Sequence, residues 1–363
     1  MSHHCCAKRK YYHPIPGLHD EIVIRKTICS EARSQLEVAL GLPQSEYVEM
    51  KDGSPLVSIG MPVYNGERFI RQALDSLLAQ DYGNFELIVS DNASTDRTQD
   101  ICLEYASNDS RIRYYHNVVN LGAANNFNRL VGLSFGKYFA FAADHDLWQS
   151  TFITRCTEVL EKEASVVLCY SRTMLIDSDG NSLGLTPDRI DTRRMSSVER
   201  YTHIIWNLDW CNMVYGVIRA DQLRKIRGFK PMLGADHAVL AELALQGEFA
   251  QIPEPLFYRR KNRRDEDPET YKRRVIGYLD PRNSWKSQEK SFSQLYRQLA
   301  LEHLRVVLRA PIMSRQKIRL LSETLSCFSV RWNILLPSFL PNRQISRFLC
   351  LLRNLTGRKR SSY

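Results

Sequence analysis

Several features that would place this 363-residue sequence in a familiar class are missing from it. The nine cysteines form no Cys-x-x-Cys pair and several lie inside apolar runs, so we expect reduced thiols in a cytoplasmic protein rather than a disulfide framework. The opening stretch MSHHCCAKRKYYHPIPG has no apolar core, so it is not predicted to be a secretory signal. No run of about 18 apolar residues occurs, which predicts no membrane-spanning helix.

Acidic and basic residues are unevenly distributed. The segment from Arg259 to the end holds 24 Lys and Arg and eight Asp and Glu, a net charge of +16, which leaves −6 for the first 258 residues of a chain with +10 overall. We therefore divide the chain into a polar N-terminal extension at 1–54, a body at 55–262 and a basic helical region at 263–363. The apolar stripes of 290–363 fit either a peripheral arm on an anionic membrane or a helical cap packed on the body.

The body alternates short apolar segments with segments of helical period. Strands are indicated by LVSIGMPVYN, FELIVS, RIRYYHN and YFAFAA, and helices between them by ERFIRQALDSLLAQ, DRTQDICLEYAS and NNFNRLVGLSF. This order predicts βαβ units, and therefore an α/β fold with a mostly parallel sheet flanked by helices. The later part is mixed, with strands SVVLCYS and RTMLID, an Asp-Gly hairpin turn in DSDGNS, the helix ADHAVLAELALQ and the edge-type strand EFAQIPEPLFYRR.

Polar side chains follow the ends of three predicted strands. Asn65 comes after the first strand, Asp91 after the second, and Asp144 and Asp146 after the fourth. Ligands of such sheets bind beyond the carboxyl ends of the strands, so these groups are expected at one edge. Because the body is acidic, a bound anion alone is unfavourable there. A bridging divalent cation would reconcile the carboxylates with a phosphate ligand.

Five motifs of the body occur in the order found in a known family. They lie in VSIGMPVYNGERFIRQALDSLLAQDYGNFELIVSDNASTDRT, NLGAANNFNRLVGLSFGKYFAFAADHD and GADHAVLAELALQGEFAQIPEPLFYRR. These segments resemble the family 2 glycosyltransferases, whose Rossmann-like fold is called GT-A. The resemblance covers residues 55–262, with a nucleotide-sugar half at 55–147 and an acceptor half at 148–262, and a C-terminal helical extension follows.

The resemblance implies an inverting enzyme that moves a sugar from a nucleotide-diphosphate sugar to an acceptor hydroxyl. The implied acceptor is a saccharide or a lipid-linked molecule, in the synthesis of a cell-surface polysaccharide or glycolipid. The implied location is the cytoplasm, with a peripheral contact to the cytoplasmic face of the membrane through 290–363.

The resemblance also assigns roles to residues of the nucleotide-sugar half. The nucleotide-binding residues that it implies are Pro62, Tyr64, Asn65, Glu67, Asp91, Asn92 and Asp144. An aromatic ring such as Tyr64 stacks on a base with about 1–3 kcal/mol, and the alternative is that it covers the sheet edge. Asn92 stands where an acid is commoner in the family, which puts base selectivity in doubt, and Asp91-Asn92 could simply form a turn.

Asp144-His145-Asp146 matches the DxD motif of the family. The resemblance implies that it holds Mg²⁺ or Mn²⁺ against the diphosphate, with Asp146 as the first choice for a direct ligand. Asp144 is the second candidate of the metal site, and the implied contact of its carboxylate is with the ribose or with a metal-bound water. Hard cations of this kind take carboxylate and phosphate oxygens together.

The acceptor half supplies the remaining candidates. Asp236 matches the general base of the family, although an Asp at the start of a helix also serves as an N-cap. Arg259 and Arg260 follow the last strand, where Arg259 would reach the diphosphate or merely begin the basic region. Trp206 and Trp210 would line a sugar subsite or pack in the core.

Two other classes compete with a glycosyltransferase. A nucleotidyltransferase would need a glycine-rich, basic phosphate loop after the first strand, where PVYNGERF offers one glycine and one arginine. A nucleic-acid-binding protein would fit the sequence pI of about 9.1. However, the basic residues avoid the body and form no recognition motif, so no nucleic-acid partner is expected.

Overall fold

The computed structural model of the protein describes residues 56–261, 267–279, 281 and 290–332. The predicted polar extension at 1–54 and the last part of the basic region, 333–363, lie outside these residues.

Within the described residues, nine strands form one sheet. The strands are β1 (Val57–Val63), β2 (Phe85–Asp91), β3 (Ile112–His116), β4 (Tyr138–Phe141), β5 (Leu147–Trp148), β6 (Val166–Ile176), β7 (Ser182–Leu185), β8 (Val217–Arg219) and β9 (Glu248–Arg260). The α-helices of the same residues are α1 (Ile70–Leu78), α2 (Thr98–Asn108), α3 (Ala123–Leu133), α4 (Phe152–Lys162), α5 (Ser197–Asn207), α6 (Ala220–Leu223), α7 (Ala235–Gln246), α8 (Pro268–Leu279), α9 (Phe292–Arg309) and α10 (Ser314–Arg331). A 3-10 turn at Cys211–Tyr215 precedes β8.

The strand order is β3-β2-β1-β4-β8-β6-β9-β5, with β7 paired to β6. The strands β3, β2, β1 and β4 are parallel, β8 runs antiparallel between β4 and β6, and β6 is parallel to β9. The predicted α/β fold with a mostly parallel sheet is therefore confirmed. The chain order reverses at β1, which lies between β2 and β4, and a crevice at such a switch point is where ligands of open α/β sheets bind.

The core forms because the central strands are apolar on both faces. All seven residues of β1 and all seven of β2 are buried, as expected for strands covered by helices on both sides. Helix α1 buries Ile70, Ala73, Leu74 and Leu77, which recur at helical spacing. Full burial of each leucine contributes about 1.5–3 kcal/mol. This packing fixes the positions at which the strand ends present their polar residues.

Two details of the later strands bear on the predictions. The segments SVVLCYS and RTMLID form the single strand β6, because the register irregularity at Ser171–Thr173 shifts the pairing with β9 without breaking the strand. The DSDGNS segment is a hairpin turn, with Gly180 at φ +90 between β6 and β7. Strand β9 lies near the sheet edge, where the two-residue β5 pairs with its outer side. The prolines do not break β9, and β5 rather than β9 is the last strand of the order, so the edge-type prediction holds only for the part of β9 that β5 does not pair with.

The helices of the basic region pack on the body as far as the structure describes them. Leu295, Leu299 and Val307 of α9 are buried, and Phe328 of α10 joins a cluster with Leu299 and Ala238 of α7. The apolar stripe of residues 290–332 is therefore turned inward, as the helical-cap interpretation predicts. None of the helices among the described residues combines the length and apolarity needed to cross a bilayer.

Candidate active site

The loop after β1 is tied to the loop after β2. Asn65 has a left-handed φ of +52, which asparagine tolerates well, and its Oδ1 accepts the Thr95 N–H at 2.8 Å. The carboxylate of Glu67 accepts the Arg97 N–H at 2.9 Å. Tyr64 is 42% exposed at this edge, while Pro62 is buried in β1. Of the predicted residues, Tyr64 therefore presents an exposed ring, whereas Asn65 and Glu67 bind the loop after β2.

Asp91 is fully buried at the end of β2. Its Oδ1 accepts the Ser94 N–H at 2.9 Å, and its Oδ2 accepts the Tyr114 hydroxyl at 2.7 Å. His116 Nδ1 lies 3.3 Å from the same Oδ2. These contacts fix the carboxylate at the strand end, where the nucleotide base is expected.

Asn92 organises the loop that leads into α3. Its Oδ1 accepts the Leu121 N–H at 2.8 Å, and its Nδ2 donates to Asn120 Oδ1 at 2.8 Å. A carboxylate could accept the first bond but could not donate the second. The structure therefore gives a local reason for asparagine at this position, which the sequence pattern did not supply.

Asp144 lies against the loop after β1. A Cβ on Gly66 would lie 2.4 Å from Asp144 Oδ2, so the glycine provides the space that the carboxylate occupies. The other oxygen, Oδ1, is 2.6 Å from His145 Nδ1. Burial raises the pKa of the Cys102 thiol, and the negative charges of Asp91 and Asp144 raise it further. Asp91 ends β2 and Asp144 follows β4, the two strands that flank β1 in the sheet.

Asp146 is almost completely buried, at 1% exposure. Its Oδ1 accepts the backbone N–H of Arg260 at 2.7 Å, and burial raises the pKa of its carboxyl group. The guanidinium of Arg260 donates to the carbonyls of His145, at 2.9 Å, and Ser178, at 2.8 Å, and to Gln72 Oε1, at 2.8 Å. Arg260, the last residue of β9, therefore holds the DxD turn in place. Its guanidinium donates these hydrogen bonds within the protein, so its role is structural.

Arg259, its neighbour, points to a different set of groups. Its Nη1 donates to Asn212 Oδ1 at 2.5 Å, and its guanidinium carbon lies 5.6 Å from the ring centroid of Trp210. Asn212 Nδ2 in turn donates to Asp188 Oδ2 at 2.8 Å. Burial raises the pKa of Asp188 to about 6. Trp210 is thus part of this site, whereas Trp206 donates its Nε1 to Glu323 of α10.

Asp236 occupies the first turn of α7. The helix is preceded by Gly234 at φ +73, so Asp236 is not the N-cap residue itself. Its Oδ1 accepts the His237 N–H at 2.9 Å. Burial raises the pKa of the Cys211 thiol, and the nearby carboxylate of Asp236 acts in the same direction. The 3-10 turn thus contacts the acceptor-side carboxylate.

Tyr215 links the donor and acceptor candidates. Burial around its hydroxyl raises the pKa of Tyr215, the charges of Asp146 and Asp236 raise it further, and Arg259 lowers it. Tyr215 ends the 3-10 turn whose Asn212 accepts from Arg259, and the next residue, Arg260, donates its backbone N–H to Asp146. Hydrogen bonds therefore join the 3-10 turn, the end of β9 and the DxD turn.

The carboxylates fit a divalent cation that is shared with a ligand. No group of three or more His, Cys, Asp or Glu that could enclose a metal occurs in the part of the chain that the structure describes. Asp144 and Asp146 offer hard oxygen donors, and Mg²⁺ typically combines one or two carboxylates with substrate phosphates and water. A cation would also favour the ionised form of the buried Asp146. The donor set suits Mg²⁺ or Mn²⁺ bridging to a diphosphate.

Three contributors were not identified from the sequence. Gly66 is the one glycine in PVYNGERF, and its position directly after the Pro-x-Tyr-Asn segment was an available signal. Asn212 and Asp188 gave no signal, because neither belongs to a motif. Their importance arises from the hydrogen bonds that connect them to Arg259.

A comparison of the whole described fold with solved structures gives its class. The crystal structure of S. aureus TarS 1-349 in complex with UDP-GlcNAc superposes with a TM-score of 0.56 at 18% sequence identity, over 76% of this chain and 73% of that chain. At this identity the likeness shows the fold alone. The fold is GT-A, as predicted from the resemblance.

Sequence comparisons match part of the chain to a family of known proteins. Residues 58–205 match the model of glycosyl transferase family 2. An uncharacterized glycosyltransferase of Rickettsia typhi, RT0329, is 37% identical over 131 residues, which cover 36% of this chain and 40% of the relative. The putative teichuronic acid biosynthesis glycosyltransferase TuaG of Bacillus subtilis is 32% identical over 134 residues, which cover 37% of this chain and 53% of the relative. The chain thus spans about half or less of the length of these relatives, and the similarity to glycosyl transferase family 2 lies in residues 58–205.

Proposed function

We propose that the protein is a metal-dependent, inverting glycosyltransferase that moves a sugar from a nucleotide-diphosphate sugar to an acceptor hydroxyl. The observation that carries this proposal is a pair of hydrogen bonds at the end of β9: Arg259 donates to Asn212 of the 3-10 turn, and Arg260 donates its backbone N–H to Asp146 of the DxD turn. A diphosphate leaving group needs positive charge, and the attacking hydroxyl needs a base. Arg259 and a metal held by Asp144 and Asp146 would supply the positive charge, and Asp236 would supply the base.

The donor side binds and orients the nucleotide sugar. The exposed ring of Tyr64 supplies a stacking surface for the base, and the buried Asp91 lies at the adjacent strand end. Asp144 and Asp146 would hold Mg²⁺ or Mn²⁺, which when bound neutralises the charge that grows on the departing diphosphate. The guanidinium of Arg259 is held by Asn212, and its remaining N–H groups suit phosphate oxygens.

Asp236 acts as the general base on the acceptor side. Its Oδ1 is bonded to the His237 N–H, so the second oxygen is the one that takes the proton of the acceptor hydroxyl. The hydroxyl oxygen then attacks the anomeric carbon on the face opposite the leaving diphosphate, through a transition state with oxocarbenium character. This geometry inverts the anomeric configuration.

The relatives support a donor class and a product class. TarS is described in complexes with UDP-GlcNAc and with UDP, and TuaG is named for teichuronic acid biosynthesis. We therefore propose a UDP-sugar donor and a saccharide or lipid-linked acceptor of a cell-surface polysaccharide. A reaction that uses cytoplasmic nucleotide sugars takes place on the cytoplasmic side.

The outer face of the hairpin formed by α9 and α10 supports a peripheral contact with an anionic membrane. The two acidic residues of 290–332, Glu302 and Glu323, are buried. The exposed residues of α9, α10 and the turn between them include no acidic residue, and many are basic or apolar: Arg297, Leu301, Leu308, Arg309, Met313, Arg315, Ile318 and Arg319. Cations near an anionic surface contribute about 1 kcal/mol each. Sedimentation with vesicles of phosphatidylglycerol should exceed that with phosphatidylcholine, and equal recovery with both would contradict the contact.

A thermal-shift screen of UDP-, GDP- and dTDP-sugars with Mn²⁺ tests the donor site. A ligand at 100 times its Kd stabilises the folded state by about 2.7 kcal/mol, so one nucleotide class should raise Tm by several degrees. Asp146→Ala should abolish the shift. A protein that binds every polyanion tested, without preference for one nucleotide and with an affinity that falls steeply as salt rises, would instead be a nucleic-acid-binding protein.

Asp236→Asn separates binding from chemistry. The amide keeps an oxygen that can accept the His237 N–H but cannot take the proton, so donor binding should be unchanged and transfer should fall by about 10²–10⁴-fold. Transfer is measured as nucleotide release that depends on the acceptor. An Asn variant with wild-type transfer would show that Asp236 is not the base.

A further inference from the structure

A buried chain of polar side chains joins α7 to the C-terminal helices. His237 Nδ1 lies 3.0 Å from His303 Nε2 of α9, and His303 Nδ1 lies 3.2 Å from the Tyr201 hydroxyl of α5. That hydroxyl is 3.1 Å from Thr324 Oγ1 of α10, and Thr324 donates to the Leu320 carbonyl at 2.7 Å. All four side chains are buried, His303 and Thr324 completely. One connected chain therefore runs through four helices.

The donors and acceptors of this chain have one consistent direction. Thr324 gives its only hydroxyl hydrogen to Leu320, so it accepts from Tyr201. Tyr201 then accepts from His303 Nδ1–H, which leaves His303 Nε2 to accept from His237 Nδ1–H. Burial lowers the pKa of both imidazoles, that of His237 to about 3, so each ring is neutral and has one N–H, as this assignment needs. The other ring nitrogen, His237 Nε2, is buried without a hydrogen-bond partner in the described residues, as are four other side-chain atoms elsewhere in them.

Apolar contacts hold the residues that lead into α7 against the same helices. A Cβ on Gly234 would lie 2.7 Å from Leu299 Cδ2 of α9. Leu233 packs in a cluster with Ile276 of α8 and Leu295 of α9. The three residues before Asp236 and the one after it thus belong to a segment whose outer side is covered by the C-terminal helices. The backbone of that segment orients the carboxylate, because the His237 N–H donates to Asp236 Oδ1.

We propose that His303 is a positioning residue for Asp236. Helix α9, which follows the body at 55–262, would then complete the acceptor side of the site. This inference rests on the proposed function of Asp236 as the base. Its physical basis is that the ring of His237, next in the chain to Asp236, is fixed by its bond to His303. With that bond lost, the first turn of α7 has an unpaired buried donor and can adopt other orientations.

Three variants of the full chain test the proposal. His303→Phe retains the ring volume but removes the donor and the acceptor. His303→Gln keeps one acceptor for His237 and one donor for Tyr201. Cys327→Ala is the matched control, because Cys327 is buried in the same helical packing but its Sγ bonds to the Ile205 carbonyl, outside the chain of polar groups.

The decisive measurements are kcat, KM for the donor, the affinity for UDP with Mn²⁺, and hydrogen exchange of the peptide 232–240. We expect His303→Phe to lower kcat at least tenfold, to leave UDP affinity unchanged and to speed exchange in that peptide. His303→Gln should recover kcat to within about threefold, and Cys327→Ala should leave kcat and exchange at 232–240 unchanged.

Two outcomes would overturn the proposal. One is unchanged kcat in His303→Phe, and the other is an equal loss of kcat in Cys327→Ala at the same Tm. If the wild-type chain transfers no sugar, the proposed function fails first. Hydrogen exchange at 232–240 still reports whether His303 orders the first turn of α7, because that measurement needs no substrate.

Discussion

The contact between Gly66 and Asp144 makes a sharp test of the donor site. Gly66 does not adopt a left-handed φ, so alanine adds no backbone strain there. Its Cβ would lie 2.4 Å from Asp144 Oδ2 and 2.8 Å from Val63 Cγ2, whereas ordinary contact begins at 3.4 Å. The carboxylate oxygen must therefore retreat by about 1 Å, and a shift of that size at a functional group typically costs up to about 100-fold.

We predict that Gly66→Ala weakens the binding of UDP with Mn²⁺ by about 10–100-fold, which corresponds to about 1.4–2.8 kcal/mol. The free energy of unfolding should fall only by about 1–2 kcal/mol, because the flexible end of Asp144 can rotate away from the new methyl group. Isothermal titration calorimetry measures the affinity, and thermal unfolding measures the stability. Asp144→Ala should match the loss of affinity in Gly66→Ala.

Gly132→Ala is the matched control for this substitution. Gly132 is exposed in α3, and nothing lies within 4 Å of the Cβ that alanine would add. Alanine in a helix is about 0.5–1 kcal/mol more favourable than glycine, so Tm should rise slightly while UDP affinity is unchanged. If Gly66→Ala binds UDP with Mn²⁺ as well as the wild-type chain does, while Asp144→Ala does not, the placement of Asp144 beside Gly66 is wrong.

Three further substitutions follow from the contacts around the site. Because burial raises the folded-state pKa of Asp188 to about 6, ionisation of this group opposes folding as pH rises from about 4 to 6. Asp188→Asn should therefore be more stable than the wild-type chain by roughly 2 kcal/mol at pH 7.5, and the two should be equally stable near pH 4. A difference in Tm between them that does not grow with pH would contradict this. Arg260→Met removes the donors that bind the DxD turn and should lower the free energy of unfolding by about 3–5 kcal/mol in urea titrations, so a loss below about 1 kcal/mol would show that these bonds are dispensable. Asn212→Leu frees Arg259 and should weaken UDP binding about tenfold with a smaller loss of stability, whereas unchanged affinity would separate Arg259 from the diphosphate.

The local patterns of the sequence predicted the first half of the body well. The spacing of Ile70, Ala73, Leu74 and Leu77 predicted the buried face of α1, and the predicted strand ends were correct to within a residue or two: Asp91 is the last residue of β2, and Asp146 follows β4. Those predictions rest on periods of 3.6 and 2 residues, which are properties of short segments. The mixed second half was harder, because its strands pair with partners far away in the chain, such as β6 with β9.

The roles of individual long side chains did not follow from local pattern. Arg259 and Arg260 are adjacent and chemically identical, yet one is held by Asn212 near the candidate diphosphate site and the other is buried against the DxD turn. Successive residues of a strand point to opposite sides, so neighbours in sequence reach different surroundings. Which surroundings each arginine meets depends on residues up to 188 positions away, as the bond between Arg260 and Gln72 illustrates.

The sequence alone determined the alternation of strands and helices, the acids at the strand ends, and the resemblance of the body to the family 2 glycosyltransferases. Tertiary structure alone decided that Gly66 leaves space for Asp144, that Asn92 donates to Asn120, and that α9 covers the residues before Asp236. The physical reason is the separation along the chain of the residues that interact. Periodicity and turn chemistry act over a few residues, whereas contacts between loops and between distant helices exist only after the core has packed.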